Sequence, residues 1–293
     1  MIEVKNLVKK FDDFTALNET NMHVKEGSVY GLVGLNGAGK TTLIRHLCGV
    51  LRQDAGNISI MGEPVYENAE LKEKIAYIPD EVYFFPKATV EEMMRFYKGM
   101  YRRFSDEKFE QLKETFSEIP MKKSIRRMSK GMQKQVAFWL ALSCCPKLMV
   151  LDEPVDGLDP IMRKKVWGSV LADVVDRNMT VLVSSHNLRE LEDVCDHVGI
   201  MKQGKIVLEK SLEELQQNTC KMQVSFADDK LPDFKDMEIK SCERTGRLFS
   251  LIIAMPYEDA LEVIKHYNPD FINPMQLSLE ELFIYELEEK NVG

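Results

Sequence analysis

Gly34-Leu35-Asn36-Gly37-Ala38-Gly39-Lys40-Thr41-Thr42 is a glycine-rich run whose first eight residues fit the spacing GxxxxGK[ST] without a gap. Glycines let the backbone curl so that successive amides point into one cavity. SVYGLVG at 28–34 has the pattern of a buried strand entering the run. TTLIRHLCGVL at 41–51 has helical periodicity and is expected to place Leu43, Leu47 and Val50 on one side. A helix leaving the run aims its positive end at the same cavity. Strand, loop and helix together predict a phosphate cradle, with Lys40 reaching the β- and γ-phosphates of a nucleotide and the Thr41 hydroxyl set for Mg²⁺.

Working outward, LMVLDEP at 148–154 is an apolar run ending in two acids. A buried strand there brings Asp152 beside the cradle as a metal carboxylate. Glu153 is then directed at a water attacking the γ-phosphate. MTVLVSSH at 179–186 is a second apolar run without alternation, as expected of parallel strands covered on both faces, and a helix over about 160–177 separates the two. IEVKNL, TALNETNMHV, NISIMGEPV and KIAYIP read as further short strands. Between about 84 and 145 the chain is helical in pattern, through VEEMMRFYKGMY, DEKFEQLKETFSEI and the stretch after Ser129.

With these residues in place the chain resembles the ATP-binding subunit of an ABC transporter over about 1–215. The resemblance implies an α/β P-loop core: a RecA-like parallel sheet, an antiparallel β subdomain and a helical subdomain. The family carries a signature, usually LSGGQ, ahead of the acidic strand, and here that place holds Met128-Ser129-Lys130-Gly131-Met132. In the family this segment addresses the ATP of the opposite subunit, which implies that role for Ser129, Lys130 and Gly131. A serine hydroxyl, open amides, a helix dipole and a lysine make half of an anion site. Asn36, Gly37, Ala38, Gly39, Lys40, Thr41 and Thr42 are the implied nucleotide ligands. Phe11 stands where the family stacks an aromatic on adenine, a contact worth roughly 1–3 kcal/mol. Asp159, in Gly157-Leu158-Asp159, resembles the loop that crosses the dimer interface. His186 resembles the histidine that contacts the γ-phosphate and joins Glu153 as a catalytic residue.

Two departures bear on mechanism. The glutamine that normally follows the IAYIP strand is replaced by Asp80, an implied but altered metal contact; the signature has Lys130 for a glycine and Met132 for glutamine. SKGM variants resemble subunits of ABC-2-type exporters of drugs and antimicrobial peptides. ATP and Mg²⁺ are the implied cofactors. The implied partners are multi-span membrane permease subunits and a second ATPase subunit, identical or paralogous, at the cytoplasmic face of the cell membrane.

Composition narrows the alternatives. A net charge of −8 argues against a sequence-independent nucleic-acid binder. The alternative of a soluble ABC ATPase on DNA calls for long coiled coils between the nucleotide motifs, and one on ribosomes for paired cassettes and basic arms; none is visible. Six cysteines without metal spacing read as reduced thiols. No leader is expected from IEVKNLVKKF, and the apolar windows, such as LIIAM at 251–255, fall short of the ~20 residues of a membrane span.

The acidic helix LEELQQN at 212–218 reads as a joint to an α+β accessory domain over 219–293. KMQVSF alternates, EIKSCERTGRLFSLIIA reads as a hairpin, and YEDALEVIKHY and LSLEELFIYELEE as helices. Met222, Val224, Phe226, Leu248, Phe249, Leu251, Ile253, Leu279, Leu282, Phe283 and Tyr285 present more apolar surface than one thin layer easily covers. Three readings stay open: a tail that covers itself, one that senses a ligand, and one that pairs with its counterpart in a second ATPase subunit.

Overall fold

The computed structural model describes residues 1–234, 237–278 and 280–281, leaving aside the side chains of residues 190, 215 and 216. Along the chain run β1 (Ile2–Phe11), β2 (Phe14–Val24), β3 (Val29–Val33), α1 (Lys40–Leu47), β4 (Ala55–Ile60), β5 (Glu63–Pro64), α2 (Ala69–Lys72) and β6 (Ile75–Ile78). Three helices follow: α3 (Val90–Met100), α4 (Asp106–Thr115) and α5 (Lys130–Ser143). Then come β7 (Leu148–Asp152), α6 (Pro160–Arg177), β8 (Thr180–Ser185), β9 (His197–Lys202), β10 (Lys205–Ser211) and α7 (Leu212–Gln217). The described chain ends with β11 (Cys220–Ser225), β12 (Ile239–Thr245), β13 (Leu248–Ile253), α8 (Tyr257–Lys265) and β14 (Phe271–Met275).

The chain divides into two compact units: 1–187 with 194–209, and 188–193 with the described residues from Lys210 onward. In the first, a six-stranded sheet has the order β10-β9-β3-β8-β7-β6, with β3, β6, β7, β8 and β9 paired in parallel. Its inner strands β3, β7 and β8 are buried at every residue, which explains apolar runs without alternation. A four-stranded sheet, β2-β1-β4-β5, pairs antiparallel and shares a core with α1 through Ile2, Leu17, Ile60, Leu43 and Leu47. The helices between β6 and β7 pack around Trp139, whose ring stacks on Phe109 at 4.6 Å and whose Nε1 donates to the Phe109 carbonyl at 2.9 Å.

One local expectation fails. Val50 is 61% exposed, because α1 stops at Leu47 and Gly49 turns the chain in the left-handed region at φ 62°. All six cysteines are free thiols.

The second unit has its own sheet, β12-β13-β11-β14, antiparallel throughout. β14 has no counterpart in the sequence reading: Pro274 speaks against a strand, and is accommodated because β14 lies at the sheet edge. Met222, Val224, Phe226, Phe249, Leu251 and Ile253 form one core with Ala260 and Ile264 of α8 and with Phe234 and Met237. The apolar faces of these strands are therefore covered within their own unit. Leu279, Leu282, Phe283 and Tyr285, and most of the expected terminal helix, lie outside the described residues.

The cores are separate, so they respond separately. Leu251→Ala is expected to weaken the second unit by about 2–5 kcal/mol. Both tryptophans, Trp139 and Trp167, belong to the first unit. In a urea titration, circular dichroism should show an earlier partial loss while the tryptophan fluorescence transition stays in place.

Candidate functional site

β3 is a central strand of the parallel sheet, and its end delivers the chain to Gly34. Leu35, Asn36 and Gly37 are exposed, and Gly37 and Gly39 turn in the left-handed region at φ 82° and 110°. At Gly39 a side chain is excluded twice over: a Cβ would lie 2.8 Å from the Ala16 carbonyl oxygen. Gly39 caps α1 with no side-chain hydrogen bond, and the first turn carries no acid. The opening amides of α1 thus have neither a capping side chain nor an acid to offset the dipole. Lys40 follows at once, 6% exposed, with Nζ donating to the Gly34 carbonyl at 2.6 Å and lying 3.3 Å from Glu153 Oε1. Thr41 is exposed and Thr42 half-buried in the same turn.

Two strands away, β7 ends in Asp152, 1% exposed, whose Oδ1 accepts the Ser184 hydroxyl of β8 at 2.6 Å. Glu153 then leaves the strand at φ 46°, a left-handed backbone that costs roughly 1–2 kcal/mol outside glycine. Its neighbours hold it there. The Glu153 amide donates to the Ser184 carbonyl and hydroxyl, both at 3.2 Å. Glu153 Oε2 accepts the His186 amide at 3.3 Å and lies 2.9 Å from His186 Nδ1. Lys40, Asp152, Glu153 and His186 therefore converge at the carboxyl ends of neighbouring parallel strands, where open α/β sheets gather ligands.

Asp80 follows β6 and is exposed, with Oδ1 3.7 Å from the ammonium of Lys134. Lys134 in α5 is buried; it donates to the Glu153 carbonyl at 2.6 Å and the Asp156 carbonyl at 3.4 Å. Burial pulls its pKa below the usual lysine range, against the opposing pull of Asp80, Asp156 and Glu153. Sequence reasoning passed over Lys134. The available signal was its place at the head of the stripe Lys134-Phe138-Ala141, on a helix that is apolar from Val136 to Leu142.

Other expected residues lie apart from this hydrogen-bonded set. Ser129 caps α5, its hydroxyl accepting the Met132 amide at 3.2 Å, and Lys130 is exposed. Gly131 packs so closely on the following loop that a Cβ would lie 2.5 Å from the Gly157 carbonyl oxygen. Asp159 caps α6, accepting the amides of Ile161 at 3.1 Å and Met162 at 2.9 Å. Phe11 is exposed at the tip of the β1–β2 hairpin, 5.5 Å under the Lys9 ammonium. Its register partner Phe14 is more open still, and the sequence reading did not single it out.

A phosphate loop between a buried parallel strand and a helix, faced by strand-end carboxylates, defines a P-loop nucleotide-binding protein. The family profile described as ABC transporter matches residues 17–156. The ABC transporter ATP-binding protein YtrB of Bacillus subtilis (strain 168) is 28% identical over 284 residues, 97% of each chain. The bacitracin transport ATP-binding protein BcrA of Bacillus licheniformis is 32% identical over 223 residues, 75% of this chain and 73% of that one. Among solved structures, an ATP-binding subunit of an ABC transporter is 28% identical with a TM-score of 0.68, over 74% of this chain and 92% of that one. The chain belongs to the ABC transporter family, as an ATP-binding protein of the cassette type.

The contact between Gly131 and Gly157 gives a direct test of the site's packing. Gly131→Ala must push the loop carrying Asp159 away from α5, which at a cost of about 1–3 kcal/mol should lower the melting midpoint. Gly168→Ala, in the interior of α6 where a Cβ meets nothing within 4 Å, is the matched control and should melt at the same midpoint or slightly higher, since alanine favours the helix.

Proposed function

We propose that this chain is the ATP-hydrolysing motor subunit of a membrane exporter. The observation that carries the reading is the sharing of one carboxylate, that of Glu153, between Lys40 and His186 beside the buried Asp152. Phosphate oxygens compete with Glu153 and the Gly34 carbonyl for the Lys40 ammonium, and the opening amides of α1 add donors to the same place. The donor set suits both ligands: amides and an ammonium for phosphate, and the oxygens of Thr41 and Asp152 for a hard cation such as Mg²⁺. Bound there, Mg²⁺ would neutralise charge on the phosphates.

Freed from Lys40, Glu153 orients the attacking water and takes its proton as the new oxygen–phosphorus bond forms and the bond to the ADP oxygen breaks. His186 supports the γ-phosphate. Phe11 stacks on adenine. Ser129, Lys130 and Gly131 complete the ATP site of a second subunit, and Asp159 stands at the interface between the two. Asp80, just after β6, would add a further oxygen ligand for Mg²⁺, directly or through water.

The membrane side follows from the surface near Asp80. Tyr83, Phe85, Phe96 and Met100 are exposed, with the rings of Phe85 and Phe96 5.0 Å apart edge to face. Among the described residues no helix is long and apolar enough to cross a membrane. An aromatic patch of this kind fits a membrane permease subunit and supports a peripheral position on the cytoplasmic face. The relative named for bacitracin transport and the SKGM signature support drugs, peptides or similar amphipathic molecules as cargo.

Glu153→Gln is expected to slow ATP hydrolysis by about 10²–10⁴-fold while nucleotide binding persists. Near-normal turnover in a phosphate-release assay would remove Glu153 from the chemistry. Affinity purification from detergent-solubilised membranes should bring down a multi-span protein with the wild type and less of it with Tyr83→Ser/Phe96→Ser. Recovery of ribosomes or DNA instead would overturn the transporter reading.

A further inference from the structure

The hydrolytic scheme makes no use of Lys134, yet this lysine lies against the scheme's central residue. A buried ammonium is tolerated only where its N–H donors find acceptors. Three oxygens meet it: the carbonyls of Glu153 and Asp156, at 2.6 and 3.4 Å, and Asp80 Oδ1 at 3.7 Å. Two of these belong to the segment that follows β7 and one to the segment that follows β6, while Lys134 itself rides in the second turn of α5, behind the cap made by Ser129.

What Lys134 holds is a strained backbone. A non-glycine residue persists in the left-handed region only where its surroundings over-determine it. At Glu153, φ 46°, the amide is taken by Ser184 and the carbonyl by Lys134, so the peptide groups on both sides of the side chain are pinned. With the two peptide planes fixed, the Cα–Cβ bond has one direction, and the carboxylate is carried toward Lys40 and His186.

We propose that Lys134 is a positioning residue for ATP hydrolysis: it fixes the backbone of Glu153, with Asp80 as its counter-charge, and so ties the aim of the carboxylate to the placement of α5. The proposal rests on the role given above to Glu153. It also gives the acid at position 80 a task that a neutral glutamine does less well, the charge compensation of a buried lysine. A shift of α5 on engaging a second subunit's ATP would reach Glu153 through a single donor.

The test is a double-mutant cycle read by steady-state ATPase kinetics on the full chain. Lys134→Met keeps the unbranched stem, one atom shorter, and removes every donor. Its kcat is expected to fall about 10²-fold, the scale of a misplaced catalytic group, with KM for ATP moving less than about threefold. Lys134→Arg, which restores a cation and donors to the carbonyls, should recover most of the loss. Combined with Glu153→Gln, Lys134→Met should lower the residual rate by no more than about twofold, because a residue acting through Glu153 has nothing left to act on. Wild-type kcat in Lys134→Met, or losses that multiply in the double variant, would overturn the proposal. If Lys134→Met loses ATP binding, Lys134→Gln, which retains one donor, enters the same cycle with the same two readings. Near-normal turnover in Glu153→Gln alone would instead overturn the underlying role of Glu153, an outcome that the single variant reports by itself.

Discussion

Lys40 carries a positive charge into the one end of α1 where the helix already presents positive potential, and it is buried there. A cation at a helix N-terminus is disfavoured by about 0.3–1 kcal/mol even at the surface, and burial raises that cost. The arrangement stands only because acceptors are brought to it: the Gly34 carbonyl from the loop itself and the Glu153 carboxylate from the end of β7. An anion is what this corner of the fold requires. A nucleotide's phosphates and the Glu153 carboxylate would answer the same electrostatic demand, so binding the one changes the hold on the other.

That demand is met by register. β7 and β8 run parallel with Asp152 opposite Ser184, and the Ser184 hydroxyl serves both acids, donating to Asp152 and accepting from the Glu153 amide. Sliding the pairing by one residue would turn Ser184 to the other face of the sheet and leave Asp152 buried without its donor. A buried carboxylate without a partner is far costlier than a lost hydrogen bond. The apolar residues that fill β3, β7 and β8 on both faces set this register, so the packing of the sheet and the spacing of the strand-end acids are one constraint.

The part of the site that could be read in the sequence is the part built from contiguous residues. Gly34 to Thr42 form a loop whose backbone geometry is local, and Asp152 and Glu153 follow directly from a buried strand. Contacts made across the fold left no such trace. The approach of Gly131 to Gly157, 26 positions apart by number (157 − 131), depends on how α5 meets the loop after β7. Phe14 becomes the twin of Phe11 only once the hairpin closes with the two in register. Val50 followed the helical period but not the helix, since Gly49 had already ended it. In the second unit the apolar strands looked underprotected because the residues that cover them, Phe234, Met237 and the α8 face, come from segments with weak periodicity or from a separate element. β14 was hidden by Pro274, a residue that only an edge position excuses.

Asp80 shows how a departure from a family pattern is resolved by a residue elsewhere. An acid at this position brings a charge that a glutamine would not, and α5 carries a buried lysine that Asp80 can neutralise. Each group is awkward without the other. A lone ammonium on α5 would face only two carbonyl oxygens, and a lone carboxylate would stand uncompensated after β6. Paired at 3.7 Å, with Asp80 exposed and Lys134 enclosed, they offset one another's charge. The pairing places a charge contact between the segment after β6, next to the exposed aromatics Tyr83 and Phe85, and the helix that begins at the signature serine. The segment after β6 and the first turns of α5 therefore meet at one ammonium, and that ammonium is bonded to the backbone of Glu153.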